Sequence, residues 1–238
     1  MIKFPFEVID LTHVLSPITP SWSGDCGFRH ELVLDYEACT TSVKFRVQKI
    51  NMHAGIGTHM DAPAHCISGG KTISELLLTD LIAPCMVIDI SKQAHADYQC
   101  SDIDIQNFEQ QYGTIPEGAF VIIRTGWDRF WHQPEHYRNN LQFPSVSLNA
   151  AHLFLDRNIA GLGIDTLSPD TEASGYPVHQ AILGAGKYLV ENVANADKLP
   201  PVGSFSLVMP ILTEGGTEAP IRLIGLVKNN TNHGMVVS

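Results

Sequence analysis

Three short, continuous apolar runs restrict this chain more than any other feature: CMVIDI at 85–90, AFVIIR at 119–124 and IAGLGI at 159–164. None shows the apolar/polar alternation of a half-wet strand. Runs this short, rich in β-branched residues and apolar on every side, suit strands covered on both faces. Further strands are predicted within Phe4–Leu15, at 44–52 (KFRVQKINM), 204–211 (SFSLVMPI) and 221–227 (IRLIGLV). Helical patterns lie between the runs. The spacing predicts helices over Thr72–Ile82, Ser101–Tyr112 and Ser147–Arg157, the last two behind plausible Ser caps. Pro177–Lys187 reads as a fourth, weakened by Gly184 and Gly186. Mixed strands and helices without a linker imply one α/β domain over 1–238, with a mixed sheet.

The formal net charge is −10, and no Lys/Arg cluster offsets it. A field of that sign repels phosphate backbones, so nucleic acid is not an expected partner. No apolar run approaches the ~20 residues of a membrane span, so no membrane role is expected. Five scattered cysteines form no C-x-x-C pair, and no secretory leader is legible. The expected setting is cytoplasmic, with reduced thiols.

The stretch HAGIGTHMDAPAH at 53–65 places three histidines and an aspartate among residues of little packing volume. His59 and Asp61 stand two apart, and on an extended chain such residues point the same way. An imidazole and a carboxylate aimed at one point suit Zn²⁺, Mn²⁺ or Fe²⁺. Pro63 turns the chain, so His65 leaves that line. An isolated H-x-D is usually structural. A cluster of buried, unpaired polar groups would cost ~2–7 kcal/mol each, which favours a ligand role here. Cys66 reads as an inert buried thiol, because adjacent residues on an extended chain point apart. Asp165, at the end of an apolar run, either binds a ligand or caps the next turn.

Gly57-Thr58-His59-Met60-Asp61-Ala62-Pro63-Ala64-His65 resembles the H-x-G-T-H-x-D-x-P-x-H signature of the cyclase family, which includes bacterial kynurenine formamidase and isatin hydrolase. Other segments look like family elements in the same order. They are Asp10-Leu11-Thr12, Pro20-Ser21-Trp22-Ser23-Gly24-Asp25, Gly163-Ile164-Asp165-Thr166-Leu167-Ser168, His179 with Glu191-Asn192, and Gly215–Arg222.

The resemblance implies a swivelling β/β/α fold, a mixed sheet flanked by helices, in a homo-oligomer (dimer or tetramer). It implies one or two Zn²⁺ or Mn²⁺ ions, with His59, Asp61, His179 and Glu191 as ligands. It makes His65 the proton-transfer residue and Trp22 part of the substrate pocket. The family's first ligand stands four residues before the second histidine, where this chain has Gly55. His53, six before His59, can reach the ion if Gly55-Ile56-Gly57 bulges. Otherwise it is structural and water takes the place. His53 is carried forward as a ligand.

The expected activity is hydrolysis of a carbon–nitrogen bond in a small amide by metal-activated water, as in kynurenine formamidase. Isatin-type ring opening, a polyketide-related cyclisation, or a metal-binding oligomer without catalysis are the alternatives.

Overall fold

The computed structural model describes residues 4–229; His233 lies outside them. The strands are β1 (Phe6–Asp10), β2 (Phe28–Leu34), β3 (Val47–Met52), β4 (His59–Asp61), β5 (Ile82–Asp89), β6 (Gln99–Cys100), β7 (Phe120–Arg124), β8 (Ser145–Val146), β9 (Gly161–Ile164), β10 (Tyr188–Glu191), β11 (Ser204–Pro210) and β12 (Glu218–Lys228). The helices are α1 (Leu78–Leu81), α2 (Asp102–Tyr112), α3 (Pro134–Arg138), α4 (Leu148–Asp156) and α5 (Pro177–Gly184), with short 3-10 turns between.

Eight strands form one mixed sheet in the order β1-β12-β11-β5-β7-β9-β10-β4. Strands β5, β7, β9 and β10 run parallel, as buried runs joined by helical crossovers should. β4 pairs antiparallel with both β10 and β12, so the sheet closes on itself into a barrel. β2 and β3 form a separate ribbon.

Closure explains why the central runs are apolar throughout. Along β7, Phe120 and Ile122 fill the barrel, while Val121 and Ile123 face an outer layer. That layer holds Ile105 and Phe108 of α2, Ala151 and Phe154 of α4, and Val178 and Ile182 of α5. Inside, the Phe120 and Tyr188 rings stack 5.8 Å apart. A Cβ at Gly161 would fall 2.3 Å from the Tyr188 ring, so the glycine makes room for it.

The predicted helices at 101–112 and 147–157 are present, and the Ser101 and Ser147 hydroxyls cap their N-termini. The helix predicted over Thr72–Ile82 is not. Thr72 and Glu75 form a reciprocal capping box, but on a 3-10 turn, followed by the single turn of α1. From Ile82 the chain is drawn into β5, whose Ala83, Cys85 and Val87 fill the barrel. Among the described residues no helix is long and apolar enough to cross a membrane.

Candidate metal centre

β4 has three residues, and its alternation builds the site. Met60 points into the barrel, so His59 and Asp61 project outward. Opposite them stand Glu191 of β10, level with His59, and Glu218 of β12, level with Asp61. Entry to β4 is held rigidly. Gly57 adopts a left-handed φ of +63°, and its carbonyl accepts from Asn192 Nδ2 at 2.9 Å. Thr58 Oγ1 donates to the Asn192 carbonyl at 2.7 Å.

Two imidazoles present the same nitrogen inward. His59 Nδ1 lies 2.9 Å from the Gly57 carbonyl, which can only accept, so Nδ1 carries the hydrogen. His179, near the start of α5, places Nδ1 2.8 Å from Asp170 Oδ2, with the same consequence. Each Nε2 lone pair is thereby turned toward the carboxylates, the arrangement a metal-binding histidine needs. Asp61 Oδ1 is 3.5 Å from His59 Nε2, and its Oδ2 is 3.7 Å from His179 Nε2. Glu191 Oε2 is 3.3 Å from His59 Nε2, and its Oε1 is 3.5 Å from His179 Nε2. Each carboxylate offers one oxygen to each imidazole.

These residues fit a divalent cation. Ligand atoms bonded to a tetrahedral Zn²⁺ at ~2.0–2.1 Å lie about 3.4 Å apart, close to the separations seen. Asp61 is 1% exposed, yet neither of its oxygens has a hydrogen-bond partner, and Glu191 Oε1 has none. Burial, with the Glu191 charge beside it, pushes the Asp61 carboxyl up to about 6. Buried carboxylates without donors are costly unless a cation neutralises them. Ligand atoms of Asp61, His65 and His179 lie within 4.8 Å of one another, as do those of His59, Asp61 and Glu218. Asp61 belongs to both sets.

His65 ends the 3-10 turn begun by Pro63. Its ring centre is 5.9 Å from that of His179, and its side chain is 33% exposed. The Glu218 carboxylate, 3.4 Å from Nδ1, raises the imidazole to about 9 against the opposing effect of burial.

The histidines and carboxylates form the floor of a cleft of about 400 Å³, walled by Pro20, Trp22, Leu167 and Tyr176. The Trp22 ring packs edge-on to Phe143 and 6.0 Å from Tyr176, and its carbonyl accepts from Arg138 Nε.

His53 does not join this cluster. Its amide pairs with the Gly27 carbonyl at 2.9 Å, continuing the β2–β3 ribbon, and its ring faces Gly27. Gly55 lines the cleft instead. The ribbon's pairing outweighs the bulge that would have carried His53 to the ion. Cys66 is exposed at the cleft wall rather than buried, and its thiol is raised by desolvation, away from nucleophile chemistry. Asp165 caps the turn after β7, accepting from Thr125 N, Thr125 Oγ1 and Gly126 N at 2.6–2.8 Å.

Sequence reading missed Asp170 and Glu218. Asp170 lies nine residues before His179 across a loop, beyond any local periodicity. Glu218 sits inside the recognised closing segment, but only barrel closure places it beside Asp61.

A closed mixed barrel carrying a buried two-histidine, two-carboxylate cluster beneath an aromatic cleft defines an α/β protein with a candidate metal centre. The family model described as "Putative cyclase" matches residues 9–171, more than half of the chain, and the chain belongs to that family. It is 30% identical to an isatin hydrolase of Roseibium aggregatum, over 93% of this chain and 92% of that protein. It is 24% identical to a kynurenine formamidase of Salinibacter ruber, over 91% and 96% respectively. Isatin hydrolase A from Labrenzia aggregata, solved with benzyl benzoate, superposes with a TM-score of 0.84 at 29% identity, covering 94% of this chain and 95% of that one. A structure described as a predicted metal-dependent hydrolase from Bacillus stearothermophilus gives 0.73 at 25% identity, covering 93% and 98%.

Proposed function

We propose that this chain is a metal-dependent hydrolase cleaving the carbon–nitrogen bond of a small aryl amide. One observation carries the reading: both Asp61 oxygens and Glu191 Oε1 are buried without a hydrogen-bond partner, between two imidazoles whose Nε2 atoms are both turned inward. His59, Asp61, His179 and Glu191 would hold the cation. A cation held there would supply Lewis-acid chemistry, lowering the pKa of water from about 15.7 toward ~7 and polarising a carbonyl oxygen.

The remaining steps belong to the protein. Trp22, Leu167 and Tyr176 offer apolar faces for an aromatic ring and exclude water around it. His65, made neutral where a bound cation's charge offsets the pull of Glu218, takes the proton from the attacking water as its oxygen bonds to the carbonyl carbon. It passes that proton to the nitrogen as the C–N bond breaks. The products are a carboxylate and an aromatic amine. Relatives that act on isatin and on a formylated kynurenine support this class, since both are amides whose nitrogen is borne by a benzene ring. The greater likeness to isatin hydrolase supports ring opening of a cyclic amide, given above as an alternative, over cleavage of a formanilide.

Purified protein supplied with Mn²⁺ or Zn²⁺ is expected to hydrolyse isatin or N-formylkynurenine. Activity should be lost on chelation and restored by the ion. A metal-loaded protein that turns over neither, nor any other aryl amide, leaves a metal-binding protein without this catalysis and removes the proposal.

A further inference from the structure

Gly55 has no side chain, and the space a side chain would fill is taken. A Cβ built there falls 2.2 Å from Glu218 Oε1 and 3.3 Å from His59 Nε2. Glu218 belongs to β12 and is 163 residues from Gly55 in the chain, yet its carboxylate enters the ligand cluster over this glycine. Barrel closure puts it there, because Glu218 is the register partner of Asp61. A Glu218 carboxylate oxygen lies within 4.8 Å of ligand atoms of both His59 and Asp61, and Oε2 is 3.4 Å from His65 Nδ1. The neighbouring Asp61 is 1% exposed and both its oxygens lack partners. His65 answers one Glu218 oxygen, and a cation would answer the other together with the unneutralised Asp61.

We propose that Glu218 is a metal ligand, completing with His59 and Asp61 a subsite whose missing side chain at position 55 makes room for it. The inference rests on the metal-dependent reading above. Supplying oxygen from β12 makes this subsite rich in carboxylate, which suits Mn²⁺ over Zn²⁺. The other Glu218 oxygen links the same carboxylate to His65, so the proton carrier and the cation share one anchor.

The test is Mn²⁺ binding by calorimetry and bound-ion electron paramagnetic resonance, on protein stripped of metal and shown by circular dichroism to be folded. Glu218→Gln and Glu218→Ala should weaken Mn²⁺ binding by about tenfold or more, at least the scale of losing a supporting group. Gly55→Ala should do the same with Glu218 still present, by filling its space. In a Glu218→Ala background, Gly55→Ala should add nothing, because the two changes remove one interaction. Wild-type affinity in Glu218→Ala or in Gly55→Ala overturns the proposal, as does a full additional loss in the double variant. If wild-type protein binds no Mn²⁺ or Zn²⁺ at all, the metal-dependent reading itself falls. Wild-type binding that is unaffected by these changes sinks only the role of Glu218.

Discussion

His179 and Asp170 are joined twice: the imidazole Nδ1 lies 2.8 Å from Asp170 Oδ2, and that oxygen accepts the His179 backbone N–H at 2.9 Å. Asp170 Oδ1 accepts the Val178 N–H, so one carboxylate both orients the imidazole and satisfies the first turn of α5. Asp170→Ala should weaken metal binding by about 10–100-fold through loss of this orientation. Loss of the capping bonds should cost a further ~1 kcal/mol of stability. Metal titration and thermal unfolding of the metal-free protein separate the two effects. Unchanged affinity with lowered stability would leave Asp170 only the structural role.

Chelation should lower thermal stability. A ligand at a hundred times its Kd stabilises the native state by about 2.7 kcal/mol. For a chain of this size that corresponds to roughly 5–10 °C. A melt with and without a chelator, then with Mn²⁺ restored, measures it. No shift in either direction would count against the buried cluster as a metal site.

His65→Ala is expected to cut turnover by about 10²–10⁴-fold, the usual share of a proton-transfer group. Bound metal should stay near the wild-type level. Loss of the ion together with turnover would make His65 a ligand, an arrangement its proximity to Asp61 and His179 also permits.

His13 makes a different, purely structural prediction. Its ring stacks on Trp131 at 3.8 Å, and its Nε2 is buried without a partner. Burial, aided by charge on His132, lowers its pKa from 6.5 to about 4. The unfolded chain therefore binds this proton more readily than the folded one between those values. Above pH 6.5 both forms are neutral and the fold carries no penalty. As pH falls from 6.5 through 4, stability of up to about 3 kcal/mol is lost. His13→Phe should flatten this part of the pH–stability curve, compared in chelator so that metal loss does not contribute. An identical slope in both proteins would reject the assignment.

Gly161→Ala should destabilise without touching the site. Its Cβ would lie 2.3–2.5 Å from three atoms of the Tyr188 ring inside the barrel. Overpacking of this kind costs about 1–3 kcal/mol, read by denaturant unfolding. A neutral result would mean that Tyr188 can move aside despite its packing on Phe120.

Local chemistry was legible wherever it was decided locally. The runs that became β5, β7 and β9 could be read because burial on both faces confines polar residues to the strand ends, at Asp89 and Arg124. Ser101 and Ser147 could be read as caps because capping acts over three residues. The two-residue spacing of His59 and Asp61 announced a shared direction. By contrast, the Thr72–Ile82 pattern was misleading: a true capping box stands there, but pairing of Ile82 with Leu207 takes the chain into the sheet. Strand β10 is only four residues long and follows directly on α5, so no local pattern isolates it.

By itself, then, the sequence determined a mixed α/β chain, its buried strands, and an imidazole–carboxylate pair aimed one way; the family likeness added His179 and Glu191. Only tertiary structure decided that His53 stays with the β2–β3 ribbon, that Asp170 holds His179, and that Glu218 fills the space above Gly55. The physical reason is closure of the barrel. Where β4 lies between β10 and β12, residues far apart in the chain become register partners, and no spacing along the sequence encodes that contact.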